Sequence, residues 1–169
     1  MTELETDRLR IVPLNLALFK LYLEDYGKVQ EKLGVKITIP NQDNDTQTLF
    51  ANAYYAAESF PQLIHWLTSW EIISKADNEI IGSICFKGPP NMEGSVEIGY
   101  EIFEPFRSKG YATEAVNAVI GWALSIPDVK RVLARVSEKN IASIKVLRTL
   151  AFNYFDFDKE IQWWERSAD

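Results

Sequence analysis

The sequence predicts an α+β fold, with a mixed β-sheet of about seven strands flanked by about four helices. Three observations predict it. The apolar period switches along the chain between strict alternation and i, i+3, i+4 spacing, in the order β-α-α-β-β-β-α-β-α-β-β. That order is neither a regular βα repeat nor a run of strands alone. The composition, 47% hydrophobic and 25% charged over 169 residues, is that of a chain with a sizeable core, read as one domain over residues 1–169.

Arg8 to Pro13 alternates Leu9, Ile11 and Pro13 against Arg8, Arg10 and Val12, a short first strand. Leu14 to Tyr26 carries Leu14, Leu18, Leu21 and Tyr22 at helical spacing, and Lys28 to Asp45 reads as a polar connection with a Pro40-Asn41 turn. A second helix spans Thr46 to Ser59, and Pro61 ends it. Leu63 to Ala76 and Ile80 to Lys87 form a hairpin around Asp77-Asn78. Ser95 to Phe103 is the fourth strand: Val96, Ile98, Tyr100 and Ile102 share one face, and Glu97, Gly99, Glu101 and Phe103 the other. Gly110 to Ser125 is the clearest helix, striped by Ala112, Ala115, Val116, Val119, Ile120 and Ala123. A strand over Lys130 to Ser137, a helix over Asn140 to Leu150, and a closing hairpin of Phe152 to Phe157 and Ile161 to Glu165 complete the order.

Charge and composition exclude several classes. Eighteen basic and 24 acidic residues give a net charge of −6, which speaks against a general nucleic-acid binder. One cysteine, Cys85, excludes a disulfide framework and a cysteine-cluster zinc site, and one histidine, His65, excludes a multi-histidine metal site. No apolar run reaches the ~20 residues of a membrane span, and the start of the chain lacks the pattern of a signal peptide. The expectation is a cytoplasmic protein with no metal, no membrane and no nucleic-acid partner.

Chemistry concentrates between Glu104 and Thr113. A strand ends at Phe103, a short basic loop comes next, and a strongly amphipathic helix begins. The first turn of a helix has unpaired N–H groups and a dipole that favours an anion. Gly110 permits close approach to the backbone, and Arg107 and Lys109 add positive charge. The loop therefore reads as a diphosphate cradle, with a solvated basic cap on a core helix as the plain alternative. It has neither the G-x-x-x-x-G-K of a P-loop nor the G-x-G-x-x-G of a dinucleotide fold.

Arg107-x-x-Gly110-x-Ala112 resembles the R/Q-x-x-G-x-G/A signature of the GNAT acetyltransferase superfamily. Ile102 to Arg107 resembles the segment leading into that superfamily's pyrophosphate loop. Asn140-Ile141-Ala142-Ser143 with Leu147 to Phe152 resembles its later N-x-x-[AS] helix. Thr6-Asp7-Arg8-Leu9-Arg10-Ile11 is similar to the T-x-R-L-x-L start of the branch containing ribosomal-protein N-terminal acetyltransferases. The resemblance spans nearly the whole chain and implies a V-splayed sheet.

It also implies acetyl-CoA as co-substrate. The pyrophosphate would lie on Arg107, Ser108, Lys109, Gly110, Tyr111 and Ala112, with Thr113 close behind. The pantetheine arm would pair with the main chain at Ile102 and Phe103, as an added strand does. Asn140 and Ser143 match positions near the pantetheine or thiol. The reaction implied is direct acetyl transfer to a primary amine, either a protein N-terminus or a small amine. Glu97 is the first choice for general base and Glu101 its competitor. Many relatives carry a tyrosine acid where this chain has Leu147, which leaves Ser143, Tyr154 and Tyr111 as candidates near the leaving thiolate. Cys85 reads as a strand residue rather than a nucleophile, and Trp163-Trp164 as core, pocket wall or dimer contact. The rival readings are a non-catalytic acyl-CoA sensor on the same fold and, more remotely, a nucleotide-phosphate binder. Exposed aromatic residues leave a homodimer open.

Overall fold

The computed structural model describes residues 3–38 and 44–167. A two-residue strand, β1 (Leu4–Glu5), precedes β2 (Leu9–Pro13), whose alternating Leu9 and Ile11 are fully buried. The helix expected from Leu14 to Tyr26 is two helices, α1 (Leu16–Glu24) and α2 (Tyr26–Leu33). Asp25 divides them. Its extended backbone ends α1, and its carboxylate caps α2 by accepting the Lys28 N–H. Gly34, at φ 69°, closes α2 in the left-handed conformation that glycine tolerates best. Most of α2 therefore lies in the stretch expected to be a polar connection. The buried Gln30 anchors the chain beyond α2, accepting from Thr38 N–H and donating to Thr38 O. The Pro40-Asn41 turn lies outside the described residues.

After α3 (Asn44–Ser59) the chain turns through Pro61 into a single helical turn, α4 (Ile64–Leu67). The strand expected from Leu63 thus begins only at Ser69. Trp66 enters the core from α4, and Trp70 Nε1 donates to His65 O across the junction. Then come β3 (Ser69–Ser74), β4 (Glu79–Phe86), β5 (Ser95–Ile102), α5 (Tyr111–Leu124), β6 (Arg131–Ser137), α6 (Ile141–Thr149), β7 (Asn153–Asp158) and β8 (Ile161–Ser167). Asn78, Lys159 and Glu160 take the positive φ values that their tight turns require.

The described residues form one eight-stranded sheet, in the order β1-β2-β3-β4-β5-β6-β8-β7. Every neighbour pair is antiparallel except β5–β6. Strand and helix counts therefore exceed the expectation slightly, while the α+β class and mixed sheet stand. One face packs on α5 and α6 through Leu9, Ile72, Val116, Ile120 and Leu147. A cluster around Leu14, Phe19, Tyr22 and Val29 joins α1, α2 and α3.

The decisive feature is where β5 and β6 part. Their parallel pairing joins Ser95–Ile98 to Arg131–Ala134 and stops, yet β5 continues to Ile102 and β6 to Ser137. The sheet opens as a V at its centre.

Candidate active site

The V opens into a cleft of about 610 Å³, lined by β4, β5, β6, α3 and the start of α6. Alternation along β5 gives the cleft two chemically different sides. Tyr100 points with Ile98 towards the α5/α6 face. Its hydroxyl lies 2.7 Å from Ser143 Oγ on α6. Burial pushes the Tyr100 phenol above its ordinary range, and the bond to Ser143 opposes that only in part. Asn140 caps α6 by accepting the Ser143 N–H at 3.1 Å and lines the same cleft.

Glu97, Gly99 and Glu101 line the other side, beside Ser83, Cys85 and Lys87 of β4 and the segment after it. The Glu97 carboxylate accepts a 2.7 Å bond from Arg135 Nε, so a cation already holds it. Glu101 is exposed, and its carboxylate makes no hydrogen bond or ion pair among the described residues. Burial pushes the Cys85 thiol up, with nearby Lys87 opposing it, which keeps the sulfur protonated and supports its reading as a strand residue.

The backbone edge of β5 corrects one expectation. Lys87 N donates to Glu97 O, and Phe103 N donates to Ile81 O. The odd-numbered residues of β5 therefore turn their N–H and C=O groups towards β4. Phe103 N–H is not available to an added strand. Ile102 C=O already accepts Arg107 Nε at 2.8 Å. The groups facing the open V are those of Tyr100 and the N–H of Ile102.

The basic loop lies just beyond. Ser108 (φ 61°) and Gly110 (φ 80°) both adopt left-handed backbone, and α5 starts at Gly110 with no side-chain cap. Such a sequence of turned amides makes a concave nest of N–H groups. Arg107, Ser108, Lys109 and Gly110 are exposed, and Tyr111, Ala112 and Thr113 are half-buried. Arg8 braces the loop from β2's approach. Its Nη1 donates to Lys109 O at 2.9 Å, its guanidinium stacks on Tyr111 at 4.6 Å, and it pairs with Glu114 at 2.6 Å. Thr6 Oγ1 donates to the same carboxylate. Burial works against the Glu114 charge, but the bonds from Thr6 and Arg8 outweigh it and hold the carboxyl below its ordinary range.

Leu147 is fully buried core, so the tyrosine-acid position is filled by packing. Tyr154 packs on Trp164 and Tyr111 lies under Arg8; neither lines the cleft. Trp163 reaches it only through Arg135, which stacks on its ring at 5.2 Å. His65 packs against Trp70 and Trp122, and burial lowers its pKa. No group of three metal-ligating side chains exists among the described residues. Sequence reading missed Tyr100, Lys87, Arg135, Arg8 and Glu114 as site residues. Only Arg8 carried a signal, within the T-x-R-L start, and its partner is 106 residues away.

A family model described as an acetyltransferase (GNAT) domain matches residues 8–153. The chain belongs to the GNAT acetyltransferase family. An uncharacterized N-acetyltransferase of Bacillus subtilis, YjdG, is 30% identical over 172 residues, covering 97% of each chain. Among solved structures, the acetyltransferase for alanine of ribosomal protein S5 from Vibrio fischeri shares the fold at TM-score 0.70 and 15% identity, covering 100% of this chain and 98% of its own. RimL, a ribosomal L7/L12 α-N-protein acetyltransferase solved with coenzyme A, does so at TM-score 0.69 and 15% identity, covering 98% of both chains.

GNAT acetyltransferases take their acetyl group from acetyl-CoA. The residues of this acetyltransferase fit that co-substrate. An uncapped helix start with Lys109 beside it suits a diphosphate, and the unpaired edge of β5 suits an amide-bearing arm. No helix among the described residues is long and apolar enough to cross a membrane.

Proposed function

We propose that this enzyme transfers acetyl from acetyl-CoA directly to a primary amine, a protein N-terminus or a small molecule, inside the V between β5 and β6. One observation carries the reading. A single cleft sets a hydroxyl pair, Tyr100 and Ser143, on one side of an open strand edge and carboxylates on the other. Acyl transfer to an amine needs this separation, because the amine must lose a proton and the departing thiolate must gain one.

Glu101 is the better placed base, since Arg135 holds Glu97. Glu101 takes the amine proton directly or through a water. Tyr100, kept protonated by burial, donates to the thiolate with Ser143 fixing its hydroxyl. Tyr100 thus supplies from β5 the proton donor that Leu147 cannot supply from α6. The N–H groups of Tyr100 and Ile102 are the donors available along the pantetheine path. The loop from Arg107 to Thr113 binds the pyrophosphate, with Asn140 beside the arm.

The test pairs calorimetric titration of acetyl-CoA with transfer of labelled acetyl to a panel of amines. Arg107→Glu, which reverses a charge and breaks the tether to Ile102 O, is expected to weaken acetyl-CoA binding by about tenfold or more. Glu101→Gln is expected to lower kcat by roughly 10²-fold or more while acetyl-CoA still binds. Turnover unchanged in Glu101→Gln and lost in Glu97→Gln would return the base to Glu97. Binding of acetyl-CoA with no amine ever acetylated would favour the sensor reading, which the buried Leu147 keeps in play.

A further inference from the structure

We propose that the acceptor is a small amino acid with an apolar side chain, its amine facing Glu101 and its carboxylate facing Lys87 across the gap left by Gly99. The inference rests on the cleft being the acetyl-transfer site.

The register of β4 and β5 sets three pairs side by side on one face: Ser83 with Glu101, Cys85 with Gly99, and Lys87 with Glu97. Four charges meet there. Arg135 and Glu97 satisfy each other at 2.7 Å. Lys87 and Glu101 remain, and neither forms an ion pair among the described residues. Lys87 does not turn to the carboxylate opposite it. Its Nζ leans over Gly99, 3.4 Å from where a Cβ would stand and 3.8 Å from Cys85 Sγ. A thiol sulfur is a weak acceptor and leaves the ammonium charge uncompensated. Glu101 lies two residues from Gly99 on the same face, about 7 Å along the strand. Between them Gly99 contributes no side chain, and the space above it is covered by the flexible end of Lys87 and by Cys85 Sγ, so a ligand reaches the floor as the lysine swings aside.

An uncompensated cation and anion at this separation select a ligand with the reversed pair. An amino acid supplies both charges a few bonds apart. A polyamine would set like charge against Lys87, and a simple amine would leave Lys87 unmatched. Leu49 and Phe50 of α3 line the cleft with apolar surface, which suits an aliphatic or aromatic side chain. The cleft's 610 Å³ lies in the range of small-ligand pockets.

The experiment is calorimetric titration of the CoA-saturated protein with L-leucine and L-phenylalanine, with their primary amides, and with the decarboxylated amines. At least one free amino acid should bind ten times or more tighter than its amide and its amine. Lys87→Met should erase that preference and Lys87→Arg should keep it. Equal binding of acid and amide, no binding of either acid, or a preference that survives in Lys87→Met overturns the proposal. Tighter binding of a short peptide with an acidic second residue overturns the small acceptor in favour of a protein N-terminus. Acetyl transfer is read separately with labelled acetyl-CoA. Amino-acid binding without any transfer would sink the enzymatic reading while leaving this recognition in place.

Discussion

Glu71 is a carboxyl with almost no access to water. It sits 1% exposed on β3, accepting hydrogen bonds from Tyr26 OH at 2.7 Å and Ser69 Oγ at 2.6 Å. Burial dominates over those bonds and pushes its pKa up to about 7. The folded state therefore holds a proton that the unfolded chain has released, between the ordinary carboxyl range and about pH 7. Glu71's contribution to stability is complete below the unfolded pKa and declines as pH rises through 7, by about 3 kcal/mol in all. Glu114 acts with the opposite sign in a lower window, because its depressed pKa makes its contribution complete above the unfolded value and lost on acidification. Glu71→Gln keeps the shape and removes the titration. Urea midpoints of the two proteins should agree near pH 5 and diverge by pH 8, with the variant more stable. Parallel curves across that range would show that Glu71 does not bind this proton. The sequence marks Glu71 only as a polar residue in an apolar strand. Its partner Tyr26 comes from α2, a helix that the local pattern hid.

At the scale of elements, the link between β2's entry and α5 explains a motif that sequence reading could quote but not interpret. Thr6 and Arg8 converge on Glu114, and Arg8 also holds the carbonyl of Lys109. Arg8→Ala keeps its backbone bonds to Glu114 and Lys75 and loses those of the guanidinium. It should cost about 1 kcal/mol of stability, since the guanidinium is half exposed. It should also weaken acetyl-CoA several-fold in titration, with kcat at saturation nearly unchanged. An unaltered acetyl-CoA affinity would show that Arg8 braces the fold and not the loop. Long elements with one clear period were legible, notably α5 and β5. The break at Asp25 was not, because one carboxylate ends a helix and starts the next without interrupting the polar pattern. The turn at α4 was hidden because Leu63, Ile64, Trp66 and Leu67 fit a strand as readily as a helical turn, and only the Pro61 entry and the Trp70–His65 bond decide it.

At the scale of the whole molecule, the V at the centre of the sheet makes the site, and alternation alone could not reveal it. Val132, Ala134 and Val136 alternate through β6 as Val96, Ile98, Tyr100 and Ile102 do through β5, with no mark where pairing ends. Family resemblance supplied the V, and physics supplies its effect. Beyond Ile98, successive amides of one strand lead different lives. Those of Gly99, Glu101 and Phe103 are turned to β4, while those of Tyr100 and Ile102 face the opening. In deuterated water the free protein should therefore show a two-beat pattern along this strand, with slow exchange at the odd positions and fast exchange at Tyr100 and Ile102. Saturation with acetyl-CoA should slow the fast pair and leave the slow ones where they were. Uniform exchange along β5 in the free protein would mean that the sheet closes in solution.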